Sequence, residues 1–391
     1  MAIVSRHDYH SISISINSMS SVLKSLLSIC LFPFALLYGT GVVIRNLLFD
    51  LHLLKSTRFP IPVISVGNIT VGGTGKTPHT EYLIQLLQKE FNTAVLSRGY
   101  KRKSKGFVLA SPLTTMEQIG DEPYQMKHKF PSIHMAVDRD RCHGITKLTD
   151  PESELGIEVI VLDDAFQHRY VKPGLSILLI DYNRPIYSDC LLPAGRLREP
   201  ANGKKRADLL LVTKCPETMS PDEQKHIREK LNPLPGQSLY FTRFVYDDLY
   251  LLTSPTSRRN LQSLTNDSEI LLVTGIASPH SLIKKLSAYT PHVYPLTFPD
   301  HHDFTEDDIK LIQQKFEQLS SGKRLIITTE KDAARLTSYP SIPNDIKGNA
   351  YVLPIKVAFL NQSDQSFNQK IIEYVRQNSR NSGLLKKQNA H

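Results

Sequence analysis

One stretch constrains this chain more than any other: the apolar run Ile61-Pro62-Val63-Ile64-Ser65-Val66, then Gly72-Gly73-Thr74-Gly75-Lys76-Thr77, then a helical pattern. The first run reads as a short buried strand. Pro78 falls in the first turn of the following helix, where proline is tolerated. Leu83, Ile84, Leu86 and Leu87 recur there at core-facing spacing. A glycine-rich loop between such a strand and helix points consecutive backbone N–H groups at a phosphate. It adds a lysine to neutralise charge and a hydroxyl to hold Mg²⁺. Thr70, Val71, Gly72, Gly73, Thr74, Gly75, Lys76 and Thr77 are therefore the expected phosphate-binding residues. The full pattern has glycine where this chain has Thr70, so the loop by itself identifies a phosphate site and no more. A glycine-rich turn that only caps a helix is the alternative.

Further strands are read at Thr93 to Leu96, Glu158 to Leu162, Leu175 to Ile180 and Asp208 to Val212, with helical or irregular segments between several of them. That alternation predicts an α/β fold, a P-loop NTPase-like parallel sheet with helices on both faces. The 391 residues leave room for a second domain. Glu269 to Val273 and Arg324 to Thr328 read as its strands, and Thr305 to Leu319 as a helix opened by Thr305 with acidic residues in its first turn. The expected division is a Ser-rich leader at 1–21, an apolar helix at 22–50 and a P-loop core domain at 51–235. A β-ribbon joint at 236–265, a smaller α/β domain at 266–378 and a polar tail at 379–391 follow, with a last short helix before the tail.

Between Lys24 and Arg45 no residue is charged, and about twenty such residues are what a helix needs to cross a hydrocarbon core. Pro33, Gly39 and Gly41 interrupt the run. An interfacial helix, a true span and a buried core helix all remain open. The formal charge of +9 favours an anionic partner, whether nucleic acid, phosphorylated molecule or membrane. No aromatic stacking motif or strand-tracking basic groove is visible, so nucleic acid is not expected. Cys30, Cys142, Cys190 and Cys215 form no CxxC pair and read as reduced thiols of a cytosolic compartment.

Mg²⁺ on phosphate oxygens still needs further oxygen ligands. Asp163 and Asp164, closing the strand Val159-Ile160-Val161-Leu162, have the right form, though a paired acidic turn would look the same. Thr213-Lys214-Cys215-Pro216 begins like a guanine-reading motif but lacks its aspartate, which favours adenine. For an acceptor of a hydroxyl proton the candidates are Asp121 in Gly120-Asp121-Glu122-Pro123 and the cluster Asp300-His301-His302-Asp303. For that cluster metal binding, a structural loop and acid-base work all remain open.

Several phrases together resemble the tetraacyldisaccharide 4'-kinase family, over nearly everything from about Leu47 to Val357. They are Ser65-Val66-Gly67-Asn68-Ile69-Thr70-Val71 leading into the loop, Ser97-Arg98-Gly99-Tyr100, Gly120-Asp121-Glu122-Pro123 and Asp163-Asp164-Ala165-Phe166-Gln167-His168. Leu192-Pro193-Ala194-Gly195-Arg196-Leu197-Arg198-Glu199-Pro200, Phe298-Pro299-Asp300-His301 and Thr328-Thr329-Glu330-Lys331-Asp332 complete the set. Ala165 departs from the family's usual glycine, which hints at a local backbone adjustment there.

The resemblance implies an ATP-dependent kinase that phosphorylates the 4'-hydroxyl of an acylated disaccharide 1-phosphate, the lipid A precursor. By it Asp121 takes the hydroxyl proton and His301 pairs with Asp121, while Lys76 stabilises charge on the γ-phosphate. Thr77, Glu122, Asp163 and Asp164 hold Mg²⁺. Arg141 lies near the reacting phosphates, and Gln167, His168, Arg196 and Arg198 bind the disaccharide and its phosphate. For Arg196 and Arg198 a solvated loop or an ion pair with Glu199 is the alternative. Acyl chains cannot leave a bilayer cheaply, so the enzyme goes to the lipid at the cytoplasmic face of the inner membrane. Lys101-Arg102-Lys103 with Lys105, and Lys204-Lys205-Arg206, then face anionic headgroups. No obligate protein partner is implied.

Overall fold

The computed structural model describes residues 21–276, 279–300, 302–320, 322–337, 339 and 342–388. The leader up to residue 20 and His301 lie outside them. The first half supplies β1 (Val63–Gly67), β2 (Thr93–Ser97), β3 (Val108–Leu109), β4 (His134–Val137), β5 (Val159–Asp163), β6 (Leu175–Asp181), β7 (Leu209–Thr213) and β8 (Ser238–Tyr246). After them come β9 (Leu249–Leu251), β10 (Ser254–Arg259), β11 (Glu269–Thr274), β12 (Val293–Thr297), β13 (Arg324–Thr329), β14 (Ala350–Leu353) and β15 (Ile355–Phe359).

The larger sheet has the order β15-β8-β7-β6-β1-β5-β2-β4-β3, parallel except at its two edges. Its central strands are buried along their whole length, as in Val159-Ile160-Val161-Leu162-Asp163, because both faces are covered. On one face Ile64 and Val66 pack with Leu83, Ile84 and Leu87 of the helix that follows the phosphate loop. On the other Val63 packs with Leu96, Ile145 and Ile160. The smaller sheet, β10-β9-β14-β13-β11-β12, is parallel from β14 to β12 and antiparallel at the β9 and β10 edge. Thr305 caps the helix Glu306–Glu317 there through a reciprocal capping box with Asp308.

Strand pairing divides the joint differently from the ribbon expected over 236–265. Ser238–Tyr246 is a full strand of the larger sheet, parallel to β7, while β9 and β10 belong to the smaller one. Its aromatic and β-branched residues suit either sheet equally, so composition could not say which neighbour it joins. The chain also returns: β15 pairs with β8, and the last helix runs Asp364–Gln388 against the larger domain. Phe367, Ile371 and Val375 enter the same core as Ile64 and Leu83. The Tyr374 hydroxyl donates to the Val63 carbonyl and accepts from its N–H, both at 3.1 Å. This helix is longer than the short one expected, continues into the segment read as a polar tail, and joins the core against the larger sheet.

The N-terminal helix Ser21–Asp50 passes through Pro33 without ending. Its segment Ile29–Asp50 is long and apolar enough to cross a membrane. Ile29, Phe32, Phe34, Leu36 and Leu37 are exposed, so it is not a buried core helix. Its C-terminal half is tied down, from the buried Ala35 and the Tyr38 hydroxyl onward. Phe49 is buried with Arg45 and Arg169 over its ring at 5.2 and 5.0 Å, and Arg169 pairs with Asp50 at 2.6 Å.

Candidate active site

β1 and β5 are neighbours in register, Val66 beside Asp163, so the phosphate loop and the paired aspartates leave the sheet at the same end. Gly75 adopts φ +88° immediately before the helix Lys76–Leu87. A Cβ there would lie 2.5 Å from the Phe244 ring, so only glycine makes this turn. The loop is braced from several sides. Val71 N–H donates to Arg196 O at 2.8 Å and Arg198 N–H to Ile69 O at 2.7 Å. Gln167 Nε2 donates to Asn68 O at 2.7 Å. Thr213 Oγ1 donates to Thr74 O at 2.8 Å, and Lys214 Nζ reaches Gly73 O. Thr213 and Lys214, which resembled the start of a base-reading motif, thus support the loop's backbone.

His79, overlooked in the sequence, lies one turn into the same helix. Burial lowers its pKa to about 4, so its ring is neutral and Nδ1–H donates to Gly75 O at 2.7 Å. The pattern that could have revealed it is a histidine on the buried face of a helix opened by a phosphate loop.

Beside Lys76 stand three carboxylates. Asp163 is 1% exposed and accepts from Thr80 Oγ1 and Ser97 Oγ, each at 3.1 Å. Burial, then the neighbouring Asp164, raise its pKa. Burial, followed by the charges of Asp163 and Asp121, raises the pKa of Glu122 as well, against the opposing pull of Lys76 and Lys331. Asp164 turns out at φ 47° to face Lys76 and Arg198, each 3.7 Å away. The left-handed residue of this turn is therefore Asp164, and Ala165 is a buried side chain on a backbone that does not need glycine.

Gly120 carries the other demanding turn, at φ +90°, where a Cβ would lie 2.8 Å from Tyr100 O. It sets Asp121 at the first position of the helix Asp121–Lys129. Asp121 Oδ1 accepts the Glu122 N–H at 3.0 Å, and Oδ2 accepts from Arg335 of the smaller domain at 2.7 Å. Arg335 was not among the residues read from the sequence. Its signal was a cation on the inner side of a short helix, three residues after Asp332, which it also contacts at 3.3 Å.

The remaining residues divide by what they touch. Arg141 is buried, its pKa lowered to about 10 by that burial, and it donates to the carbonyls of Asp138 and Asp163 at 3.0 and 3.3 Å. It fixes the end of β5 directly. His168 lies in the loop after β5; burial, then Arg141, lower its pKa to about 4, and its buried Nε2 has no hydrogen-bond partner among the described residues. Arg196 is exposed, and neither it nor Arg198 pairs with Glu199, which is held instead by Arg206 at 2.8 Å and Asn46 at 3.1 Å. The N-terminal helix reaches this same loop cluster, with Tyr38 donating to Arg198 O at 2.9 Å and Arg45 to Gln167 O at 3.0 Å.

In the Asp300 cluster, His302 bonds Asp308 at 2.8 Å and stacks on Phe298, a structural role, and Asp300 pairs with Lys331 at 3.5 Å. The basic runs are partly internal as well. Arg102 donates to the carbonyls of Val137 and Gly106, Lys204 to those of Leu231 and Asn232, and Arg206 to Glu199. Lys101, Lys105 and Lys205 are exposed, as is Lys103, which pairs with Glu117 at 2.6 Å. Asp140, Cys142 and His168 bring ligand atoms within 4.8 Å of one another. Asp140, however, already caps its helix by accepting the N–H groups of Cys142 and His143, and burial pushes the Cys142 thiol up.

Comparison with known proteins identifies the family. The family model for tetraacyldisaccharide-1-P 4'-kinases matches residues 27–376. A tetraacyldisaccharide 4'-kinase of Phocaeicola vulgatus is 58% identical over 354 residues, covering 90% of this chain and 97% of that one. The enzyme of the same name from Bacteroides thetaiotaomicron is 51% identical over 369 residues, covering 92% and 97%. A crystal structure of LpxK from Aquifex aeolicus in complex with ATP superposes with a TM-score of 0.69 at 30% identity, covering 89% of this chain and 99% of the other. With so much of its length matched by the family and by relatives of this identity, the chain belongs to the tetraacyldisaccharide-1-P 4'-kinase family.

Proposed function

We propose that this chain is an ATP-dependent kinase that transfers the γ-phosphate to the 4'-hydroxyl of a tetraacyldisaccharide 1-phosphate, in lipid A biosynthesis. The observation that carries the reading is the gathering of Lys76, Glu122, Asp163, Asp164 and Asp121 around one phosphate loop. Backbone N–H groups of Gly72 to Thr77 receive the phosphates of ATP, and Lys76 offsets charge that builds on the γ-phosphoryl group.

Asp121, held by Gly120 at the head of its helix, accepts the proton as the sugar oxygen bonds to phosphorus and the bond to the ADP oxygen breaks. Mg²⁺ suits the donor set: Glu122 and Asp163 both have raised pKa values through burial and neighbouring carboxylates, an excess of negative charge that a divalent cation relieves. Thr77, Glu122, Asp163 and Asp164 are the residues to hold it. When bound, the ion supplies neutralisation of the β- and γ-phosphate oxygens. Gln167, His168, Arg196 and Arg198 form the disaccharide side of the site, Arg198 and Arg196 suiting its existing phosphate, and Arg141 secures the strand end beneath the reacting phosphates.

Purified protein is expected to release ADP rapidly only when the acylated disaccharide is present in detergent or vesicles. Equal ADP release without it would favour an ATPase, and equal rates with a soluble sugar alcohol would favour a soluble acceptor.

The N-terminal helix brings the site to the lipid at the cytoplasmic face of the inner membrane. Its exposed apolar residues enter the bilayer, and its tied end stands beside Arg198 and Gln167, where the lipid's sugar must arrive. Deleting residues 1–44 is expected to abolish sedimentation with anionic phospholipid vesicles. If the shortened protein still sediments with them, the anchor lies elsewhere.

A further inference from the structure

The helices Asp121–Lys129 and Glu330–Thr337 pack against each other across the two domains and are bolted at both ends by ion pairs. At one end Arg335 meets Asp121 at 2.7 Å, and at the other Lys129 meets Glu330 at 2.5 Å and Glu81 of the loop helix at 2.6 Å. The first residue of one helix thus faces the last turn of the other, an antiparallel pairing. The two bolts are about 12 Å apart along the helix, at about 1.5 Å per residue.

Arg335 is 2% exposed and lies between Asp121 of the larger domain and Asp332 of its own. Asp332 is fixed in turn, accepting from Thr329 Oγ1 at 2.7 Å and donating its N–H to the same hydroxyl at 3.2 Å. A guanidinium held this way has little freedom, and it passes that restriction to the carboxylate it grips.

We infer that Arg335 is a positioning residue for phosphoryl transfer: the smaller domain uses it to orient the Asp121 carboxylate, so that the proton acceptor is set only when the two domains are docked. The inference rests on the kinase reading above, with Asp121 as the acceptor. In this role Arg335 acts through Asp121. Lys129 provides the built-in comparison, because its bolt joins the same two helices without contacting Asp121.

The test measures kcat, KM for ATP, KM for the acylated disaccharide and Tm of the full chain in Arg335→Met, Arg335→Lys and Lys129→Met. Arg335→Met, which keeps the buried volume, is also combined with Asp121→Asn. Displacing a reacting group by about 1 Å costs on the order of 10²-fold. Arg335→Met is therefore expected to lower kcat by that order with both KM values nearly unchanged. Arg335→Lys should recover part of the rate. Lys129→Met should lower Tm but leave kcat within about threefold of wild type. In the Asp121→Asn background Arg335→Met should add almost nothing, since residues acting through one group are not additive.

The inference is overturned if Arg335→Met keeps kcat within about twofold, if its loss persists undiminished in the Asp121→Asn background, or if Lys129→Met loses as much. Should Arg335→Met fail to fold, Arg335→Lys decides. A kcat below wild type that becomes equal to the parent's in the Asp121→Asn background supports the inference, and an unchanged kcat overturns it. Wild-type protein that transfers no phosphate to the disaccharide overturns the kinase reading and this inference together; wild-type activity with insensitive Arg335 variants overturns this inference alone.

Discussion

Asp121→Asn is expected to lower kcat by about 10²- to 10⁴-fold, the usual contribution of a positioned general base, while ATP binds as in the wild type. The asparagine keeps a carbonyl oxygen for the Arg335 guanidinium, which sits 2.7 Å from Asp121 Oδ2, and it keeps the helix start that Gly120 sets. It loses the carboxylate's negative charge, and with it the capacity to take a proton. Asparagine is preferred to alanine because truncation would leave the buried Arg335 facing an empty space in place of one of its two carboxylates, mixing a folding defect with the chemical one. Single-turnover transfer and calorimetric ATP binding, measured on the same preparation, separate the two. A fall in nucleotide affinity as large as the fall in rate would mean that Asp121 holds the loop rather than the proton.

Lys76→Ala acts on the other partner of the reaction. Its ammonium is mostly buried, 3.7 Å from Asp164, at the start of the loop helix. Removing a preorganised charge that stabilises the transferring group costs about 3 kcal/mol, or on the order of 10²-fold in kcat. Part of the effect also appears as weaker ATP binding, because the same charge meets the ground-state phosphates. The contrast with Asp121→Asn is the useful result: Lys76→Ala should raise KM for ATP and lower kcat, and Asp121→Asn should lower kcat alone. Stopped assays across a range of ATP concentrations show the difference. An unaltered KM for ATP in Lys76→Ala would remove the lysine from the phosphate site.

The phosphate loop, the paired aspartates and the parallel sheet were legible because each rests on local rules. A buried strand, a glycine-rich turn and an amphipathic helix need only neighbours in the chain to be recognised. Long-range pairings were not legible. Nothing local in Ser238–Tyr246 tells which sheet it joins, and nothing in Phe367, Ile371 or Val375 shows that the chain returns to the first core. The same limit applies to the site. Asp121 and Asp163 could be picked from their phrases, but Arg335 is 214 residues from Asp121, and only the docking of two helices brings them together.

His302 and part of the basic runs show the opposite limit. Their residue types suit acid-base chemistry or headgroups, yet His302 serves Asp308 and Phe298, and Arg102, Lys204 and Arg206 are spent on internal partners. Composition reports what a side chain can do, and burial decides which of those options it keeps.

The central claim, that this loop passes a phosphoryl group to a membrane-held sugar, is tested most directly with ATP labelled on the γ-phosphate and tetraacyldisaccharide 1-phosphate in mixed micelles. The labelled product is then cleaved chemically to locate the phosphate. The label is predicted on the lipid, at the 4'-oxygen, in step with ADP formed. Label recovered only as inorganic phosphate, or on any other position of the lipid, would contradict the claim.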